Sequence, residues 1–345
     1  MNLYLVFIVA LSLIGIKIFF KGFNKDYISK KTTTSIKGIF VLLVFYSHLY
    51  TYIKYQPAKD FWMFSIRNYL GQLMVAMFLL YSGFGIGYSL IHKGEKYLKK
   101  IPVNRILKTL FNFDIAVLTF LIVNCILKIK YPLSSNILAF TAWGGIGNSN
   151  WYIFAILVLY FISYLSFTLF DGKDKKNAII CSWVLTIFAM FSIASFRGPG
   201  FDYCYNTMLC YTLGFNYAFY HEKVEEKIFN NKIYWLVMPV ILIFHLAFNR
   251  FQYDNSIMYA INSLLFSALI VLISMKIDVS NKVLNWLGEH VFWIYILQRL
   301  PMIVLSNLGY QNHSYRFALI AFVTTMIIAA IYKFIFDRVN KKIFE

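Results

Sequence analysis

Charge is scarce in this chain: only 14% of its 345 residues are charged, and only 15 are acidic. A soluble domain carries about 25%. Also missing is any polar stretch long enough to fold as a separate globular domain, which excludes a soluble enzyme held by one anchor. The four cysteines, Cys125, Cys181, Cys204 and Cys210, form no CxxC pair and fall in or near apolar runs. They read as buried free thiols and leave the compartment open. The first run, LYLVFIVALSLIGIKIFF, lacks a basic leader and an A-x-A-like cleavage site, so it reads as a retained span. Neither an internal repeat nor a matched pair of interrupted helices is present, which counts against an inverted-repeat transporter. No segment is of low complexity.

What is abundant is hydrocarbon. Hydrophobic residues make up 60% of the chain, and its mean hydropathy is +0.63. Several apolar runs approach or exceed the roughly 18 residues that cross a bilayer core. The fold class is therefore all-α, a polytopic transmembrane helical bundle of about ten to eleven spans. The expected spans are 2–20, 36–53, 69–91, 106–128, 136–170, 178–196, 203–220, 233–249, 257–275, 289–308 and 317–336. The fifth contains a re-entrant or loop portion before residue 150, where TAWGGIGNSNW is rich in Gly and Asn.

The net charge of +18 does not point to nucleic acid, because the basic residues lie in short loops between apolar runs. With the N-terminus outside, the inner loops hold most of them, including Lys21–Lys37, Lys93–Lys108, Lys173–Lys176, Lys223–Lys232 and Lys333–Lys342. That bias fits an odd number of spans, an outer N-terminus and a cytoplasmic C-terminus. Two parts are expected: residues 1–35, an extra N-terminal span with a cytoplasmic linker, and residues 36–345, the main transmembrane domain.

Within this apolar background a few polar residues stand out. The segment IKGIFVLLVFYSHLY, residues 36–50, begins near Lys37 and carries His48 about 16 Å deeper by helical rise, close to the expected midplane. An ionisable group at that depth is a functional candidate; the plainer alternative is a histidine bonded between helices, with Tyr46, Ser47 and Tyr50 as partners. Lys37 and Arg105 sit at inner span ends beside the basic loop HKGEKYLKKIPVNRILK. They suit either topology and lipid headgroups or a phosphate site. Asp114, inside the fourth span, needs a partner and is read either as orienting a histidine or as pairing with an arginine.

YSGFGIGYS, residues 81–89, is no dinucleotide loop, since no strand precedes it. Its Gly83–Gly87 step suits close helix packing, and Ser82 can bond across helices. In GNSNWYIFAIL, Trp151 and Tyr152 fit an interfacial belt, while Asn148 and Asn150 suit a site or turn. In WLGEHVFWIYILQRLPM, Gln298 and Arg299 lie deep in a span before Pro301, which should kink it. Both are expected to face an internal cavity, the alternative being a buried ion pair with Asp114.

Taken in order, these motifs resemble the acyltransferase-3 family of integral-membrane acyltransferases of bacteria and some animals. Lys37 and His48 match a basic residue, ten apolar residues, then histidine. MFLLYSG (77–83) is similar to an FFxxSG-like segment, Arg105 to a loop arginine, and NSNWYIFAIL to a Trp-Tyr span entry. GEHVFWIYILQ is similar to G-x-x-S-x-x-IYLLH, with Val291 at the usual serine and Gln298 at the usual histidine. The resemblance covers residues 36–336. It implies an acyltransferase transferring groups other than aminoacyl groups, here an O-acetyltransferase-like enzyme. The donor would be cytoplasmic acyl-CoA, with acetyl-CoA expected, and the acceptor a hydroxyl of a cell-surface, secreted or lipid-linked glycan. It further implies His48 as catalytic base or acyl carrier and Lys37 and Arg105 as the acyl-CoA-binding pair. Ser82, Asp114, Asn150, Trp151, Tyr295, Gln298 and Arg299 are then cavity, oxyanion or orienting candidates. No bound cofactor, metal or nucleic acid is expected. Some members carry a fused SGNH hydrolase-like domain; here the expectation is action alone or with a separate extracytoplasmic partner. The competing reading is a transporter or flippase of a glycan or small anion.

Overall fold

The computed structural model describes residues 1–170 and 174–344; Lys173, one of the loop lysines above, lies outside the described residues. The apolar runs become helices: α1 (Asn2–Leu13), α2 (Lys30–Leu49), α3 (Pro57–Leu70), α4 (Leu73–Leu98), α5 (Lys108–Ile126), α6 (Leu133–Ala139), α7 (Trp151–Leu169), α8 (Lys175–Arg197), α9 (Leu209–Ile228), α10 (Asn231–Arg250), α11 (Ser256–Ser274), α12 (Lys282–Glu289), α13 (Val291–Leu297), α14 (Arg299–Asn307) and α15 (Ser314–Phe344). Among the described residues, 8 helical segments are long and apolar enough to cross a membrane, and α1 and the broken α13–α14 are shorter apolar helices. The chain is thus a multi-pass membrane protein built as a helical bundle. Its only strands among the described residues are β1 (Lys17–Ile18) and β2 (Ile277–Asp278), antiparallel, with Lys17 opposite Asp278.

Three local expectations change, and two expected irregularities take definite form. The first span is not one helix over 2–20: α1 stops at Leu13, Gly15 takes φ +72°, and the chain runs on extended to pair with β2. A glycine there reaches the left-handed region without a Cβ clash. The second helix starts at Lys30 rather than 36, because the Ser29 hydroxyl accepts the Thr32 amide. Lys37 therefore lies inside α2 and His48 in its last turn, a rise of about 27 Å from Lys30. Residues read as a connection between the second and third spans form α3, opened by Pro57 and held by buried Asp60, which pairs with the Met1 amino group at 2.6 Å. The fifth span divides into α6, an irregular segment over 140–150, and α7. The span over 289–308 breaks at Gln298, since Pro301 has no N–H to give the Leu297 carbonyl.

Glycines bring the central helices together. A Cβ on Gly83 would meet the Tyr211 carbonyl, and one on Gly214 the Leu80 carbonyl, so α4 and α9 touch backbone to backbone. Gly38 faces Leu284 and Gly288 faces Thr34 in the same way, which locks α12 across α2. Lipid tails give apolar helices no reason to prefer each other over solvent, so such close approach supplies the packing. The result fixes α2 beside α4, with polar side chains of both facing inward.

Candidate active site

Cavities run in a row along the inside of α2. At the Lys37 end a cavity of about 650 Å³ is lined by Lys25, Lys30, Lys37, Arg105 and His221, with Asp26, Ser29, Thr33 and Ser89. Arg105 sits on a π-helical turn, Pro102–Leu107, that leads into α5. Such wide turns recur at functional sites. Its Nε donates to the Tyr97 hydroxyl at 3.0 Å, and its guanidinium lies 5.9 Å from the Tyr97 ring. Four cationic side chains and one carboxylate suit an anion with several phosphate charges.

Lys37 also lines the next space, a waist of about 180 Å³. Its walls are Phe78, Ile153, Ile156, Val291 and Phe292, with the hydroxyl-bearing Ser82, Thr109, Tyr152, Tyr160 and Tyr295. Ser82 faces the Tyr152 and Tyr160 hydroxyls. Tyr295 closes the far end, and its ring packs on Tyr152 at 5.3 Å and on His48 at 6.2 Å between centroids.

Tyr295 lines the third cavity too, about 290 Å³, with His48, Arg67, Asn148, Ser149, Asn150, Trp151 and Arg299. Among the described residues, His48 Nδ1 and the Tyr295 hydroxyl have no hydrogen-bond partner. No carboxylate of the described residues lines this cavity to orient the imidazole. Beyond it a vestibule of about 530 Å³ shares Ser47, Arg67, Gly71, Gln72 and Tyr203 and adds Asp202, Asn206, Gln252 and Asp254. The Tyr205 and Ser256 hydroxyls donate to Asp202 at 2.5 and 2.9 Å and hold its carboxyl below the usual carboxylate range.

One wall of the His48 cavity is the irregular segment over 140–150. Non-helical backbone at membrane depth is tolerated where it lines a cavity or is buried in protein. Here it is pinned from three sides. Asn124 Nδ2 donates to the Ile146 carbonyl at 2.9 Å, and Asn150 Nδ2 to the Ala142 carbonyl at 2.9 Å. The Arg197 guanidinium stacks 3.8 Å from the Trp143 ring centroid and donates to the Trp143 carbonyl.

The structure gathers His48, Trp151, Tyr295 and Arg299 in one cavity and Lys37 and Arg105 in another, with Ser82 between them. Asn150 borders the His48 cavity, but its amide nitrogen is spent on the loop. Gln298 is fully buried and donates to the Tyr295 carbonyl at 3.0 Å, bracing the break between α13 and α14. Asp114 lines none of these four cavities; its Oδ1 has no partner, and it makes no ion pair with Arg299. Sequence reasoning missed Arg67, counted only as a loop charge, and Ser149. The one available signal was the polar run GNSN before an aromatic span entry.

A family model described as an acyltransferase domain, that of the acyltransferase-3 family, matches residues 34–334. No curated protein and no solved structure matches the chain.

Proposed function

The chain belongs to the acyltransferase-3 family, and we propose that it moves a short acyl group, acetyl in the first instance, from acyl-CoA to a hydroxyl of a cell-surface or secreted glycan. One observation carries this reading: cavities that share Lys37 and then Tyr295 lead from a cationic pocket to His48. The basic end then faces the cytoplasm, in line with the loop charges, and takes the CoA phosphates on Lys37 and Arg105. The pantetheine arm threads the waist and brings the thioester to Tyr295 and His48.

His48 takes the proton of the acceptor hydroxyl as that oxygen attacks the thioester carbonyl. The Tyr295 hydroxyl donates to the carbonyl oxygen as it gains charge. Collapse breaks the C–S bond, the CoA thiolate takes the proton from the imidazolium, and the ester leaves through the vestibule. A two-step route with an acyl group carried on His48 uses the same atoms. The row of cavities also suits a transporter of a small anion, which would move its cargo without consuming acyl-CoA.

The test is purified protein in vesicles with radiolabelled acetyl-CoA and a cell-surface glycan fraction. CoA release and label transfer in the wild type, both lost in His48→Ala and His48→Gln of unchanged fold, support the reading. Turnover that survives both substitutions removes His48 from the chemistry. Cargo movement without CoA release would replace the enzyme reading by transport.

A further inference from the structure

The His48 cavity is rich in donors and cations and has no anion of its own. Arg67 and Arg299 both line it, and among the described residues no Asp or Glu does. Neither guanidinium stands in an ion pair among the described residues; Arg299 meets the Tyr52 hydroxyl, and its Nε has no hydrogen-bond partner there. Arg67 is fixed by its Nε bond to the Ser47 carbonyl at 3.3 Å and by the Tyr50 ring at 5.8 Å, and it stands between this cavity and the vestibule that Asp202 and Asp254 line.

Two further groups in the same wall point the same way. Asn148 is 6% exposed and Ser149 is 5% exposed, yet Asn148 Nδ2 and Ser149 Oγ have no partner among the described residues. Asn148 has no choice of orientation. Its Oδ1 accepts the Ile146 amide at 2.9 Å, so only its N–H donors remain to serve the cavity. Buried donors left unmatched are costly, and unpaired buried charges more so. Pinned on a braced loop beside two arginines, they are set out for an acceptor-rich anion.

We infer that this cavity is an anion site holding a phosphate or carboxylate of the acyl acceptor next to the hydroxyl that His48 serves. The inference rests on the acyl-transfer reading above and deepens it: the acceptor is an acidic, hydroxyl-bearing molecule, such as a phosphorylated sugar or a sugar acid, rather than a neutral glycan. The acceptor side is favoured over the donor because the cavity opens to the vestibule through Ser47, Arg67 and Gln72. A charged acyl tail would instead have to cross the apolar walls of the waist.

The experiment is equilibrium binding to full-length protein in lipid nanodiscs, with glucuronate, glucose 1-phosphate and neutral glucose as probes. Both anionic probes should bind at least tenfold more tightly than glucose, and added salt should weaken them alone. Arg67→Gln and Arg299→Gln should each remove most of that preference, Arg299→Lys should restore part of it, and Asn148→Asp should abolish it. Thermal unfolding and gel filtration establish that each variant is folded. Equal binding of glucose and glucuronate, or a preference that survives in Arg67→Gln, Arg299→Gln and Asn148→Asp alike, overturns the inference. If succinyl-CoA is turned over tenfold better than acetyl-CoA and that preference is lost in the arginine variants, the anion belongs to the acyl tail and the acceptor assignment falls. Acetyl-CoA turnover in the same nanodiscs, wild type against His48→Ala, reports separately on acyl transfer. Failure there sinks the enzyme reading even where anion binding persists.

Discussion

The two ends of the row of cavities carry similar charge but are built differently. The Lys37 cavity is made by neighbouring stretches of chain and their basic residues: the turn before α2, α2 itself, α4, the π-helical turn before α5, and α9. Its cations lie where loop lysines and arginines lie in the sequence. The His48 cavity joins the last turn of α2, Arg67 of α3, the irregular segment over 140–150, and the break between α13 and α14. Its polar groups come from positions that local pattern assigns to loops or apolar spans. A shared charge sign therefore hides two designs, a pocket of clustered cations and a braced, donor-lined chamber around His48.

The sharpest way to break the contrast is to remove the imidazole. His48→Ala should lower acetyl-CoA turnover by about 10²–10⁴, the usual weight of a general base, while CoA binding at the other end stays unchanged. Radiolabelled turnover and CoA binding on one preparation check both halves. An equal loss of CoA binding would mean that the two cavities do not divide the work.

Next in size, Lys37→Ala and Arg105→Ala should raise the KM for acetyl-CoA by about 10–100-fold, since a charge-assisted hydrogen bond is worth about 1.5–3 kcal/mol. The rate at saturating donor should change less. A loss confined to that rate, with KM untouched, would put these residues in the chemistry instead.

Smaller still is the effect on the frame. In Gly288→Ala the new Cβ meets the Thr34 carbonyl and must force α12 away from α2, at a cost of about 1–3 kcal/mol. Gly22→Ala, where nothing lies within 4 Å, should leave thermal unfolding unchanged. Equal unfolding temperatures in the two variants would show that the α2–α12 crossing yields easily.

The smallest expected change is at the vestibule. Bonds from Tyr205 and Ser256 lower the folded pKa of Asp202, so its contribution to stability is full above the unfolded value of about 4 and fades as pH falls through the folded value. Thermal unfolding between pH 3 and 7 should show a slightly steeper acid decline in the wild type than in Asp202→Asn. Parallel curves would remove the carboxylate from the stability of that rim.

Much of the fold was legible in the sequence because its causes are local. Apolar run length marked the helices, and Gly83 and Gly87 marked close packing that α9 supplies. Pro301 marked the break after α13. Boundaries were less legible. Ser29 extends α2 toward its N-terminus by a side-chain bond that periodicity does not register, so Lys37 lies inside the helix rather than at its start. Of the candidate site, Lys37 and His48 were readable as polar groups at a set helical distance, and Arg105 as a basic residue at a span end. Arg67 looked like an ordinary loop charge, and Gln298 like a cavity residue until its bond to Tyr295 turned it into the bundle wall.

The sequence by itself determined that this is a membrane helical bundle, since no other structure satisfies the backbone of so many apolar runs in lipid. It also determined that Lys37 and His48 would sit about 16 Å apart on that frame, because helical rise fixes separations along one element. Only the tertiary structure decided that a loop, a helix end and a broken span would close around the histidine. Those partners are joined by packing between elements far apart in the chain, and no local pattern of side chains encodes which elements meet.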